Sequence, residues 1–127
     1  MDKHLLHRTT KGEFVRSKSE LAIAEKLNAM GINYVYEQPV QLGGTTRWPD
    51  FTITDDESGT TYYWEHLGML SDPEYATRWQ VKRAAYLAAG IRPIEDQAGG
   101  DVLIETKEVT GSGLDMAEIE RLARLIT

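Results

Sequence analysis

Two carboxylates in short β-like runs are the residues of this sequence best suited to chemistry. Asp50 opens an alternating polar and apolar run, and Glu65 follows the aromatic run 62–64. The polar segment 55–59 between them ends in glycine, which is typical of a hairpin loop. A hairpin would bring the two acids side by side, where they repel unless a positive charge lies between them. Their oxygen atoms are ligands that suit a divalent ion such as Mg²⁺ or Mn²⁺.

A third acid, Glu20, precedes these two and falls at the start of a predicted helix. The three acids stand in the segments Ser-Lys-Ser-Glu, Pro-Asp-Phe-Thr-Ile and Tyr-Trp-Glu-His-Leu-Gly. Their order and setting resemble the PD-(D/E)xK nuclease superfamily. The pattern is most like the small nuclease domains attached to some DNA helicases, and in size and layout it is similar to Holliday-junction resolvases. The resemblance spans roughly residues 16–105.

The resemblance implies an Mg²⁺- or Mn²⁺-dependent endodeoxyribonuclease that hydrolyses DNA phosphodiester bonds with low sequence specificity. Asp50 and Glu65 would bind the metal, with His66 contributing a further ligand through its backbone carbonyl. Glu20 would hold a second metal or its water. The implied partners are DNA, including single-stranded or branched DNA, together with a helicase or recombination protein and a second copy of the chain. The alternative is a catalytically decayed nuclease fold that binds nucleic acid or protein.

The lysine of the family's acid-x-Lys pattern is missing from this chain. That pattern would place it at Leu67, and strand alternation puts Leu67 on the same face as Glu65. A replacement cation is therefore expected from elsewhere, and Lys82 is the first candidate, with Lys18 the second. Lys82 shares one stripe of the following helix with three aromatic residues, namely Tyr75, Trp79 and Tyr86.

Each candidate also has a purely structural alternative. Glu20 stands three residues after Ser17, which is capping-box spacing. Glu65 could form a structural salt bridge, and Lys82 could stack on an aromatic ring. A second acid-x-Lys pattern at 105–107 follows a complete helix and is the weaker assignment.

Composition limits the functional classes. The chain has 127 residues, of which 41% are hydrophobic and 27% charged, as in an ordinary soluble domain. It contains no cysteine, which excludes disulfides, a thiolate nucleophile and a cysteine zinc site. No apolar run approaches the ~20 residues of a membrane span, and the N-terminus does not resemble a signal peptide. A cytoplasmic protein is expected.

The charge is acidic overall but uneven along the chain. The formal net charge is −6, which argues against a broadly basic nucleic-acid-binding surface. Positive residues nevertheless concentrate in segments 1–18 and 78–92. We therefore expect phosphate contacts from these two segments, and the candidates are Lys11, Arg16, Lys18, Arg78 and Arg83.

The element pattern predicts an α/β fold. We expect a restriction-endonuclease-like α-β-β-β-α-β core, with a mixed central sheet flanked by helices. A flexible or loosely docked basic arm would occupy residues 1–15, and one nuclease-like domain would occupy 16–127. The predicted helices begin near residues 17, 71 and 114, and the predicted strands are 32–40, the two acid-bearing runs, 92–95 and 101–105.

Overall fold

A computed structural model describes residues 6–109 and 113–127. Its three helices are α1 (Lys18–Ala29), α2 (Pro73–Ala88) and α3 (Met116–Ile126). None of the helices in these ranges is long and apolar enough to cross a membrane. The strands are β1 (His7–Arg8), β2 (Phe14–Val15), β3 (Val35–Tyr36), β4 (Val40–Leu42), β5 (Thr45–Arg47), β6 (Phe51–Thr54), β7 (Thr61–Leu67), β8 (Arg92–Pro93), β9 (Val102–Val109) and β10 (Gly113–Leu114).

A side-chain oxygen caps the first turn of each helix. Ser17 accepts a hydrogen bond from the Glu20 N–H at 3.1 Å, and Asp115 accepts one from the Glu118 N–H at 3.2 Å. Asp72 does the same for α2, where Pro73 takes the first helical position. These contacts satisfy amide groups that have no partner inside the helix. The helix starts predicted from the sequence are therefore confirmed to within about two residues.

The central sheet mixes parallel and antiparallel neighbours. Its main order is β10-β9-β7-β6-β3, and β8 also pairs with β9. The β6–β7 and β3–β6 pairs are antiparallel, whereas β7 runs parallel to β9. A parallel pair requires a crossover connection, and α2 lies in the connection between β7 and β9. The fold is therefore a mixed α/β structure, as predicted at that level.

Apolar layers cover both faces of the sheet. On one face α1 and α3 pack against Phe51, Trp64 and Ile104. On the other, α2 contributes Trp79 and Tyr86 to a second core that also contains Leu67, together with Leu42, Ile91 and Leu103. Because successive strand residues point to opposite faces, each face of β7 belongs to a different layer.

Four expected elements differ from the structure. The predicted strand 32–40 is interrupted at Glu37, whose positive φ of 51° breaks the extended backbone. A 3-10 turn replaces the second half of strand 92–95, and strand 101–105 extends to Val109. The expected loosely docked arm is wrong for residues 7–15, because they form the β1–β2 ribbon and bury Val15 completely. Residues 1–5 of that arm lie outside the described residues.

Candidate active site

Asp50 and Glu65 face each other across the β6–β7 hairpin. Phe51 pairs with Trp64 in this antiparallel ladder, which places Asp50 opposite Glu65. Phe51 and Trp64 point into the core beneath α1 and α3. The two acids therefore point to the other face, toward α2. Asp50 immediately precedes β6 and Glu65 lies inside β7, so the hairpin sets the two residues side by side.

Glu65 is buried, and two side chains donate to its carboxylate. Lys82 Nζ lies 2.7 Å from its Oε2, and the Tyr86 hydroxyl donates to the same oxygen at 2.6 Å. Burial raises the pKa of Glu65, and the charge and hydrogen bond of Lys82 are the main effects that oppose this rise. Lys82 also donates to the Trp48 carbonyl at 3.1 Å, so its amine lies where the aromatic stripe of α2 predicted it.

Asp50 is the most strongly perturbed acid of the site. Its Oδ2 accepts a hydrogen bond from the His66 backbone N–H at 2.7 Å. Even so, burial first, and then the negative charges of Glu65 and Glu20, raise its pKa well above the usual range. Lys82 opposes this rise more weakly. Burial and the neighbouring carboxylates therefore oppose ionisation of Asp50 more strongly than Lys82 favours it.

These groups open into a cleft of about 250 Å³. Arg47 and Arg78 also line it, and neither forms an ion pair within the described part of the chain. Arg47 Nε is buried without a hydrogen-bond partner, whereas the Arg78 guanidinium lies 5.9 Å from the centre of the Tyr75 ring. The remaining lining residues are His66, Leu67, Tyr75 and Trp79. Two cations that pair with no carboxylate in the described part of the chain thus stand beside the two carboxylates that line the cleft.

Leu67 stands at the position where the acid-x-Lys pattern would place a lysine. It lies on the Glu65 face as expected, is 7% exposed, and packs in the α2 core. An ammonium group there would be buried among apolar side chains, at a large desolvation cost. Lys82 instead approaches Glu65 from the helix and remains partly exposed.

Glu20 has a structural role and also influences the site. Its backbone N–H is capped by Ser17, while its carboxylate accepts hydrogen bonds from the Arg16 N–H at 3.0 Å and the Tyr36 hydroxyl at 2.8 Å. It does not line the cleft. Its charge nevertheless contributes to the raised pKa of Asp50, so it lies within electrostatic reach of the hairpin acids.

The His66 imidazole belongs to the opposite face of the sheet. Its Nδ1 is 2.9 Å from Thr106 Oγ1, and its Nε2 is 3.0 Å from Glu108 Oε1. Ser19 donates to the same Glu108 carboxylate. This ring is therefore held away from Asp50 and Glu65, and only the backbone of His66 reaches the site.

Glu105, the acid of the second acid-x-Lys pattern, lies directly beside Glu65. The two residues pair in the parallel β7–β9 ladder. Arg83 Nε donates to both Glu105 oxygens at 3.1 Å, so consecutive residues of α2 neutralise neighbouring acids. Glu105 and Arg83 line a second cleft of about 460 Å³, and this cleft shares Leu67 and Trp79 with the first.

The predicted DNA-contacting residues are not gathered in one place. Arg78 lines the cleft that contains Asp50 and Glu65, whereas Arg83 lines the neighbouring cleft that contains Glu105. Arg16 is bound to Glu37, with Nε 2.5 Å from Oε1. Lys11 and Lys18 are exposed and line neither cleft.

Arg47 is the cleft residue that sequence reasoning missed. It adjoins the Trp-Pro-Asp segment, but nothing in its local pattern indicates the direction of its side chain. That direction depends on the β4–β5 hairpin, whose register pairs Arg47 with Val40. The glycine pair at 43–44, which is typical of a hairpin turn, would have been the available signal.

The acids of this cleft offer oxygen atoms, the type of ligand that a hard divalent cation prefers. Asp50 and Glu65 offer carboxylate oxygens, and a divalent ion between them would oppose the effects of burial and of the neighbouring carboxylates that raise the pKa of Asp50. Within residues 6–109 and 113–127, no three histidine or acidic side chains are grouped so that they could hold a metal ion. A site here would therefore combine the two hairpin acids with backbone or water oxygens.

Comparison with known proteins shows a distant similarity to one protein of unknown function. No family model matches the chain, and no solved structure matches it significantly. Over 95 residues, 75% of this chain, it is 30% identical to the uncharacterized protein MJ1519 of Methanocaldococcus jannaschii. The aligned segment spans 7% of that much longer protein.

Proposed function

We propose that this protein is a metal-dependent nuclease that hydrolyses DNA phosphodiester bonds on a restriction-endonuclease-like fold. The observation that carries the proposal is the convergence of Asp50, Glu65 and Lys82 on one cleft from β6, β7 and α2. Acids in the order helix, strand, strand, followed by a helical crossover to a parallel strand, support the fold assignment.

Each residue of the cleft has a role in this proposal. Asp50 and Glu65 would hold Mg²⁺ or Mn²⁺, together with the His66 carbonyl. Such an ion lowers the pKa of a water molecule and screens the charge that builds on the phosphate. Lys82, fixed between Glu65 and the Trp48 carbonyl, would stabilise the negative charge of the transition state. Glu20, in the first turn of α1, would add negative charge near the cleft and so favour cation binding.

A second candidate is a decayed nuclease fold that binds nucleic acid or protein without cleaving it. The observation in its favour is that Lys82 and Tyr86 already occupy Glu65 Oε2. A carboxylate satisfied in this way is stable without a metal, and Leu67 fills the place of the family lysine with apolar packing.

Cleavage of plasmid and single-stranded DNA in Mg²⁺, Mn²⁺ or EDTA tests the proposal. We expect cleavage in metal and none in EDTA. Asp50→Asn and Glu65→Gln should each lower the rate by about 100-fold or more, as for loss of one transition-state electrostatic contact. Asp55→Asn, in the exposed loop of the same hairpin, removes the same charge and should leave the rate unchanged.

Two outcomes would contradict the proposal. Cleavage that survives both Asp50→Asn and EDTA would place the activity elsewhere. DNA binding by the wild-type protein without cleavage in either metal would favour the decayed nuclease.

A further inference from the structure

Trp48 is a large, exposed aromatic residue beside the cleft that contains Asp50 and Glu65. Its side chain is 55% exposed, although the next residue, Pro49, is among the fully buried ones. Lys82 holds the Trp48 carbonyl by a hydrogen bond of 3.1 Å. The backbone is therefore anchored at the carbonyl and at the following residue, while the indole stays in solvent. An exposed indole on a fixed backbone is the kind of surface on which a nucleobase stacks.

Arg47, the preceding residue, lines the cleft with Asp50 and Lys82. Its Nε is buried and has no hydrogen-bond partner in the described structure. A buried donor without a partner is costly. The planar guanidinium matches the geometry of a phosphate group, and because Arg47 is only half-buried and lines the cleft, a phosphate there would bind the terminal N–H groups of its guanidinium.

We propose that Arg47 and Trp48 form a subsite for an unpaired nucleotide, with the phosphate on Arg47 and a neighbouring base on Trp48. This inference rests on the proposed nuclease function and specifies its substrate as single-stranded DNA or an unpaired stretch. In a duplex, adjacent base pairs cover both faces of each base, so no face is left for the indole. An unpaired base has free faces and stacks without that cost.

The charge of the molecule supports the same substrate. Duplex binding depends on many phosphate contacts, and the net charge of this chain is −6. Several cations are already held in ion pairs, among them Lys26, Arg83, Arg92 and Arg121. Arg47 and Arg78 remain available at the cleft, and two phosphate contacts with one stacked base suit a short single strand.

Binding to a non-cleaving protein tests the subsite. Fluorescence anisotropy would compare an Asp50→Asn protein with the same protein carrying Trp48→Ala, in Mg²⁺. The ligands are one labelled oligonucleotide as a single strand, the same sequence as a duplex, and a strand of equal length without bases. Val81→Ala is the matched control, because Val81 is 56% exposed on α2 and lines neither cleft.

We expect the single strand to bind at least about tenfold more tightly than the duplex. Trp48→Ala should weaken single-strand binding by about tenfold, the lower range for loss of one stacked base, and should not change binding of the baseless strand. Arg47→Ala should weaken both, because both carry phosphates. Val81→Ala should bind each ligand as the parent does.

The outcomes separate this inference from the proposed function. Equal or tighter duplex binding, or unchanged single-strand binding after Trp48→Ala, would overturn the subsite while leaving cleavage by Asp50 and Glu65 intact. A wild-type protein that binds as expected but never cleaves would overturn the nuclease proposal and leave the subsite standing. A thermal melt of Arg47→Ala with an unchanged midpoint shows that its weaker binding is not a folding defect.

Discussion

Asp50 is held in surroundings that oppose its ionised form. Burial and the charges of Glu65 and Glu20 raise its pKa. In the unfolded chain its pKa returns to about 3.9. Between these two values the folded protein binds the extra proton, so the contribution of Asp50 to stability is present at low pH. It is lost as the pH rises through the folded-state pKa.

We therefore predict that Asp50→Asn stabilises the metal-free protein at pH 7–8. The asparagine cannot ionise, and its carbonyl can still accept the hydrogen bond from the His66 N–H. The midpoint of thermal unfolding should rise by several degrees, since about 1 kcal/mol moves it roughly 4 °C in a domain of this size. The gain should disappear near pH 4, as melts in EDTA across this range would show.

Asp55 supplies a control of opposite sign. The Ser58 hydroxyl and the Glu57 N–H lower the pKa of Asp55. Its contribution to stability is therefore present above the unfolded-state pKa and is lost as the pH falls. Asp55→Asn should not stabilise the protein at pH 8. If Asp50→Asn were less stable than wild type there, the inference that burial and the neighbouring carboxylates oppose the ionised form of Asp50 would be wrong.

At the scale of elements, α2 supplies the cations that pair with the acids on the face of the sheet that it covers. Lys82 and Arg83 are consecutive, and they pair with Glu65 and Glu105 on neighbouring strands. We predict that Lys82→Ala lowers cleavage by about 100-fold with DNA binding nearly unchanged. It should also lower stability at pH 7, because Glu65 would be buried without its cation. That loss should diminish near pH 4, where Glu65 becomes protonated.

Arg83→Ala is the matched control, since it removes a cation one residue away from the same helix. Its cleavage rate should stay within a fewfold of wild type. Normal cleavage by Lys82→Ala would refute the assignment of this lysine. Loss of cleavage in Lys18→Ala instead would place the cation in the N-terminal segment.

Local features made much of the site predictable from sequence. The loop 55–59 fixed the hairpin, and with it the pairing of Asp50 with Glu65. The aromatic stripe of α2 placed Lys82 correctly. The neighbours contributed by β9 were not predictable, because parallel pairing across α2 leaves no local signature. Glu105 therefore appeared remote from Glu65 in sequence although it lies beside it.

Tertiary packing decided the rest. The strand predicted at 32–40 breaks at Glu37, where a non-glycine residue takes a positive φ. Arg47 and Trp48 have no periodic pattern of their own. The β4–β5 hairpin before these two residues and the buried Pro49 after them set their positions. As a result, the Arg47 Nε is buried, whereas the Trp48 side chain is exposed.

At the scale of the whole molecule, the proposed function requires an acidic domain to bind an acidic polymer. The net charge of −6 offers no general attraction to DNA, so binding should rely on the few cations at the cleft. Arg47 and Arg78 line that cleft, and neither forms an ion pair with any residue of 6–109 or 113–127. The N-terminal cations Lys11 and Lys18 line neither cleft, which makes them weak candidates for phosphate contacts.

We predict a shallow salt dependence for single-stranded DNA binding. Each phosphate contact on a single strand contributes about −0.7 to the slope of log K against log salt concentration. Two contacts give a slope of about −1.4, and Arg78→Ala should reduce its magnitude to about 0.7. Titrations between 50 and 300 mM salt with the Asp50→Asn protein would measure both slopes. A double Lys11→Ala, Lys18→Ala variant should keep the parent slope. A parent slope steeper than about −3, reduced by that double variant, would mean that the N-terminal segment carries the strand and that the cleft arginines do not.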